Sequence, residues 1–449
     1  MTKIATAAEL DRARPYLFYQ TATRLPLVKK AEGIYIWDED GKEYIDGCSG
    51  AMISHLGHGH PRLTKAMADQ AASGVVFAYR TQFESRPALE LAGALVDASA
   101  PHLNRVFYVS GGSEAVESAM KICRQYFWAK GEGSRHVFIS RSPAYHGSTL
   151  GALALTTYAP LENPFRPLTR SYPKIPAPYC YRCHYGAKYP ECGIRCARDL
   201  ETTILDQGPE NVAAFVAEPI GGASTGAVVP PDEYFMIIQG ICQKYGIFLI
   251  FDEVMTAFGR TGKLFAYEHW NTEVDVVALS KGMGAGYYPL GAIVTRQEIA
   301  DTVVESGGFQ HGHTYAGNPM ACAVGLEVMN VIRDDDLCGN AERMGALLKS
   351  GLEELATRHP VIGDVRGRGL LLGIELVADP DTREPFPADR NMNLRLTREA
   401  RKKGLIIYPR RCINGLAGDH LVAAPPLIVN EKQVGDILDR LDGALAQLS

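Results

Sequence analysis

The stretch VDVVALSKGMGAG (274–286) runs an apolar segment, Val274–Leu279, into a serine, a lysine and three glycines at alternate positions. Shortly before it, IFLIFDEV (247–254) ends another apolar segment on a carboxylate, Asp252. Continuous apolar runs of four to six residues suit strands buried on both faces. Further runs are Val106–Val109, Val137–Ile139, Ala213–Ala217 and Leu290–Val294. Between them lie segments with helical spacing. Val116, Met120, Cys123 and Phe127 recur at i, i+4 and i+7, and Tyr234–Lys244 is a second such segment. Strand alternating with helix predicts an α/β domain with a mainly parallel sheet, placed at residues 70–330.

The flanks read differently. Residues 331–358 predict one long helix, followed by apolar runs around a second helix near 391–403. Residues 31–48 predict a hairpin turning at Glu39-Asp40-Gly41. We place residues 1–69 and 331–449 together as a smaller α+β domain.

Composition excludes several classes. The chain has 449 residues, 46% hydrophobic and 22% charged, with Lys+Arg 46 against Asp+Glu 51. That slightly acidic balance lacks the basic excess of a nucleic-acid binder. No apolar run approaches the ~20 residues of a membrane span, and no secretion signal is read at the start. A cytoplasmic location is expected. Six of ten cysteines (Cys48, Cys123, Cys242, Cys322, Cys338, Cys412) are scattered and read as reduced core thiols. Cys180, Cys183, Cys192 and Cys196 cluster. Their spacing leaves open a metal site or a cysteine-rich surface insertion, and we assign no metal ligand.

A carboxylate and an amine at neighbouring strand ends suggest chemistry, because open α/β sheets bind ligands there. Lys281, partly desolvated, would have a lowered pKa and a nucleophilic amine. Ser110-Gly111-Gly112-Ser113 precedes a helix with Ser113 as its expected N-cap. It serves equally as a tight turn or as a cradle of backbone N–H groups for a phosphate. Amine, carboxylate and cradle together suit pyridoxal 5′-phosphate, and the three features cover its aldehyde, its ring nitrogen and its phosphate. A nicotinamide site fits less well, since Gly282-x-Gly284-x-Gly286 is not the dinucleotide spacing.

In these blocks the chain resembles the class III (subgroup II) pyridoxal-phosphate aminotransferases of fold type I. The resemblance spans nearly the whole chain: LGHGHP (56–61), VSGGSEAVESAMK (109–121), AYHGST (144–149), AEP (217–219), FDEVMTAFGRTG (251–262), ALSKGMGAGYYPLGA (278–292), GHTYAGNP (312–319), VRGRGLLLGIEL (365–376) and APPLIV (424–429). It implies a large domain around a seven-stranded, mainly parallel sheet. It also implies Lys281 as the lysine bonded to the cofactor, Asp252 as partner of the ring nitrogen and Tyr145 stacked on the ring opposite Val254. Gly111, Gly112 and Ser113 would hold the phosphate, with His146 and Glu218 nearby. His313 and Thr314 would reach the phosphate from a partner subunit, which makes a homodimer with shared sites, a tetramer remaining open.

Ser148 after His146-Gly147 is similar to the ω-amino acid and amine:pyruvate branch. The resemblance therefore implies an amine, polyamine or ω-amino acid donor and a keto-acid acceptor: pyruvate, glyoxylate or 2-oxoglutarate. Where that branch carries a mobile arginine this chain has Gly415, leaving Arg80, Arg410 and Arg411 as candidates for the substrate carboxylate. Met52 stands where amine transaminases often have a bulky aromatic. An epimerase, aminomutase or decarboxylating aminotransferase of the same fold shares these residues and stays open.

Overall fold

Val212–Ala217 is buried at all six positions and Val276–Leu279 at all four, because helices cover both faces of the sheet they belong to. In the computed structural model, which describes residues 7–18, 25–78 and 82–448, that sheet has seven strands. Their order across it is Leu103–Val109, Gly291–Arg296, Val276–Leu279, Phe248–Asp252, Val212–Ala217, Val137–Ser142 and Lys174–Pro176. Gly291–Arg296 runs antiparallel to both neighbours, and the other pairings are parallel. Six strands therefore point the same way. Their carboxyl ends share one edge, and residues following them are brought together.

The chain's first and last parts form two further sheets. Val28–Glu32, Tyr35–Asp38 and Glu43–Asp46 pair antiparallel, and Leu405–Ile406 joins alongside Ile45 and Asp46 in parallel. The hairpin read at 31–48 is thus part of a three-stranded meander, extended by an exposed first strand whose polar VKKAE gives little alternation. Ile362–Arg368, Leu371–Leu376, Ala417–Ala423 and Tyr408–Ile413 form an antiparallel sheet in that order.

Two local expectations are corrected. The helix expected over 331–358 is two helices, Pro319–Asp334 and Leu337–Arg358. They break where Asp336 adopts φ +47° and its side chain accepts from Gly339 N–H, a capping geometry that aspartate tolerates. Ser113 is not an N-cap. The helix Gly112–Ala129 starts two residues earlier with Gly111 at the cap, and the Ser113 hydroxyl accepts from the backbone N–H of Ser148 at 3.1 Å.

Five of the six scattered cysteines are buried, while Cys338 is partly exposed. Among the described residues no helix is long and apolar enough to cross a membrane.

Candidate active site

Asp252 is the last residue of its strand and only 5% exposed. Both its oxygens are held: His146 Nδ1 lies 2.8 Å from Oδ2, and the Val254 N–H donates to Oδ1 at 3.1 Å. His146 is itself buried, and its backbone N–H donates to Thr156 Oγ1 at 2.9 Å. Glu218 follows the next strand, Val212–Ala217. Its Oε1 accepts from Gly222 N–H at 2.9 Å, and burial pushes its carboxyl pKa up. The Arg141 guanidinium, also buried, donates to the Glu218 carbonyl.

Lys281 lies two residues beyond Val276–Leu279, at φ +44°. The left-handed region costs a non-glycine residue roughly 1–2 kcal/mol, the kind of local strain that marks functional positions. Burial lowers the pKa of its amine, and nearby Asp252 and Glu218 oppose that while Arg410 reinforces it. Lys281 and Asp252 open into one cavity of about 420 Å³.

Gly112 and Ser113, in the first turn of an 18-residue helix, border the same cavity. The packing there admits only glycine at two points. A Cβ on Gly112 would come within 2.8 Å of Val254 Cγ1, and one on Gly147, at φ +138°, within 2.6 Å of Ser113 Oγ. Backbone N–H groups at a helix start make an anion cradle. Tyr145, 37% exposed, and Val254 also face the cavity. Two buried polar atoms bordering it, His146 Nε2 and Glu218 Oε2, have no protein partner.

Of the expected site residues, the structure gathers Gly112, Ser113, Tyr145, His146, Glu218, Asp252, Val254 and Lys281 around this cavity. Gly111 caps the helix without lining the cavity, and its carbonyl accepts from the Ala115 N–H. His313 and Thr314 do not reach it within one chain. They line a separate cavity with Phe77 and His311, and His313 Nδ1 lies 3.7 Å from Glu114 Oε1. Among the candidate arginines, Arg410 lines the Lys281 cavity, with its guanidinium 4.3 Å above the Tyr408 ring. Arg411 is tied to Asp419 at 2.7 Å and to Asn391 at 3.0 Å. Arg80 lies outside the described residues.

Sequence reasoning missed Tyr408, Tyr158 and Met255 on the cavity wall. Tyr408 carried a usable signal: it stands two residues from Arg410 in one strand and so shares its face. Tyr158 and Met255 lie in loops and carried none.

A sequence model of the aminotransferase class III family matches residues 19–445. The chain belongs to the class III aminotransferases. This aminotransferase is 40% identical over 422 residues to YodT, an uncharacterized aminotransferase of Bacillus subtilis (strain 168), covering 93% of this chain and 94% of that one. It is 35% identical over 413 residues to a putrescine–pyruvate aminotransferase of Pseudomonas aeruginosa, covering 92% and 88%. Among solved structures, an amine transaminase from an uncultivated Pseudomonas species in its pyridoxal-phosphate-bound form superposes with TM-score 0.91 at 32% identity, covering 96% and 98%. The fold is fold type I of the pyridoxal-phosphate enzymes, and pyridoxal phosphate is the cofactor. The cavity fits it: an anion cradle, an enclosed amine, a carboxylate fixed at depth and unpartnered buried polar atoms are all present.

Proposed function

We propose that this aminotransferase moves an amino group from an ω-amino acid, amine or polyamine donor to a keto acid such as pyruvate, glyoxylate or 2-oxoglutarate, in two ping-pong halves. The observation that carries this reading is the single cavity shared by the Lys281 amine, the Asp252 carboxylate and the Arg410 guanidinium. When bound, pyridoxal phosphate supplies an aldehyde for the amine and an electron-withdrawing ring.

The chain's own residues do the rest. Gly112 and Ser113 hold the phosphate through the helix start, with Gly111 fixing where that helix begins. Asp252 holds a proton on the ring nitrogen, and His146 keeps the carboxylate aimed by its 2.8 Å contact. Tyr145 and Val254, both on the cavity wall, would bracket the ring, and Glu218 would position its polar edge. Lys281 Nζ, its basicity lowered by burial, takes the proton from the amine-bearing carbon and returns it on the far side of the transfer. His313 and Thr314 complete the phosphate site from the second subunit of a homodimer, which would explain why they face a different cavity within one chain.

Arg410 binds the keto acid's carboxylate. Its stack on Tyr408 pre-orders a guanidinium whose planar fork suits two carboxylate oxygens. Ile220, Met255 and Met52 supply apolar wall for the donor's chain. The name of the Pseudomonas aeruginosa relative, acting on putrescine and pyruvate, supports this donor and acceptor pairing.

A matrix of donors and acceptors tests the reading. Each donor alone should deplete the cofactor's lysine-bound absorbance stoichiometrically, and each competent keto acid alone should restore it. Absorbance that persists with every amine, alongside racemisation of an amino acid, would show an epimerase instead.

A further inference from the structure

Register in the antiparallel sheet built from 362–423 puts two rows of side chains on one of its faces. Arg410 pairs with His420, His420 with Glu375 and Glu375 with Asp364. Two residues along each strand, Tyr408, Val422, Gly373 and Arg366 pair in the same order. Directly opposed residues share a face, and so do residues two apart in one strand. Tyr408 and Arg410, at one end of these rows, line the Lys281 cavity. Further along, Glu375 and His420 are fully buried and the Arg366 side chain is only 11% exposed. Polar groups buried this deeply need hydrogen-bond partners.

Part of the partnership comes from the loop that follows the strand Val212–Ala217, whose Ile220, Ala223 and Ser224 form another stretch of the cavity wall. Arg366 Nη2 donates to the Thr225 carbonyl at 2.7 Å. His420 Nε2 lies 3.0 Å from the Ala223 carbonyl, a contact that needs the proton on Nε2. Between these two bonds backbone meets backbone. A Cβ on Gly373 would collide with the Gly226 carbonyl, and one on Gly226, at φ +67°, would come within 2.7 Å of the His420 ring. Inside the loop the Gly222 carbonyl accepts from the N–H groups of Thr225 at 3.2 Å and Gly226 at 3.0 Å. The Gly222 N–H in turn donates to Glu218. A shift at Thr225 is therefore passed both to the cavity wall and to Glu218.

Arg366 is itself firmly oriented. Its Nη1 donates to Asp364 at 2.6 Å and to Glu375 at 2.7 Å, and its guanidinium lies 4.7 Å from the centre of the Tyr179 ring. Tyr179 and Arg182 also donate to Glu375. Two guanidiniums thus balance two carboxylates without help from the loop. The bond to Thr225 is not needed for charge compensation, and its effect is on where the loop lies. We propose that Arg366, seconded by His420, is a positioning residue for substrate specificity: it fixes the loop 221–228 relative to Arg410 and so sets the width of the substrate slot. Neither side chain lines the cavity. The inference deepens the function proposed above and rests on that cavity being where donor and acceptor bind.

The test compares the unaltered holoenzyme with Arg366→Met and Arg366→Lys. The probes are the straight-chain amine and the arylalkyl amine that the unaltered enzyme turns over fastest. A wrong donor class in the proposed function then shows in the parent's own turnover and not in the comparison. Arg366→Met should raise KM for the straight-chain amine about 10-fold, the effect of one buried hydrogen bond to a charged group. Its kcat and cofactor content should stay within a few-fold of the parent. The loosened wall should move the ratio of kcat/KM about 10-fold toward the arylalkyl amine. Arg366→Lys, which can still donate to Thr225, should recover most of that change. If Arg366→Met does not fold, His420→Phe decides: it removes the bond to Ala223 while keeping a ring, and should move the ratio the same way. An unchanged ratio in the folded variant, an equal loss for both amines, or a loss explained wholly by departed cofactor would each overturn the positioning role.

Discussion

Replacing Arg410 with methionine separates the two halves of the reaction. Methionine keeps the length and the apolar packing on Tyr408 but removes the charge. Arg410 is partly buried, on the wall of the cavity that holds Lys281. A hydrogen bond to a charged group in such a place is worth about 1.5–3 kcal/mol, or roughly 10- to 150-fold. That loss should fall on kcat/KM for the keto acid, because the proposed contact is with its carboxylate. The half-reaction of a donor without a carboxylate should stay within a few-fold of the parent. Rapid mixing reads the halves separately, the first by loss of the cofactor's lysine-bound absorbance and the second by its return. A second readout is independent of substrate. The Arg410 charge depresses the Lys281 pKa, so its removal should raise the pH at which the free amine loses its proton. An equal fall in both halves, or an unchanged keto-acid half, would refute the assignment of Arg410.

Lys281→Ala should abolish turnover and the absorbance of lysine-bound cofactor, and measurable steady-state turnover in that variant would contradict its role. Asp252→Ala should cost about 10²–10³-fold in kcat with the fold retained by circular dichroism, comparable to losing one preorganised electrostatic group. His146→Phe should cost less than Asp252→Ala and should shift the absorbance–pH profile of bound cofactor, which a purely structural residue would leave in place. Gly112→Ala should weaken cofactor retention on dialysis, since the new methyl meets Val254 at 2.8 Å and the helix start must move. Burial lowers the His420 pKa to about 3, below its ordinary 6.5, so the folded state binds fewer protons than the unfolded state between those values. Stability on this account is full above pH 6.5 and falls with acidification, by up to about 1.4 kcal/mol per pH unit. Urea midpoints at pH 7 and 5.5 should therefore differ less in His420→Asn.

Much of the sheet was legible because strands such as Val212–Ala217, buried on both faces, read as unbroken apolar runs. The exposed strand Val28–Glu32 gave no such pattern and was missed. The break at Asp336 was hidden too. Leu337, Ala341, Met344 and Leu348 continue a helical stripe across it, and one capping aspartate was outweighed. At the site, Lys281 and Asp252 were visible because each ends an apolar run. Arg410 could only be narrowed to a trio, since distinguishing it from Arg411 needs the alternation of a strand whose other face binds Asp419. Nothing local in the sequence could show that His313 and Thr314 face away from the cavity of their own chain.

The parallel pairing of Ile45 with Leu405 has a consequence for biosynthesis. A ribosome adding about 5–20 residues per second needs about 20–70 s to travel from one partner to the other. Through that interval the early strands lack their final neighbour and offer an open edge to any other nascent polypeptide. Expression with added holdase chaperones should therefore raise the yield of native enzyme more than slower induction alone.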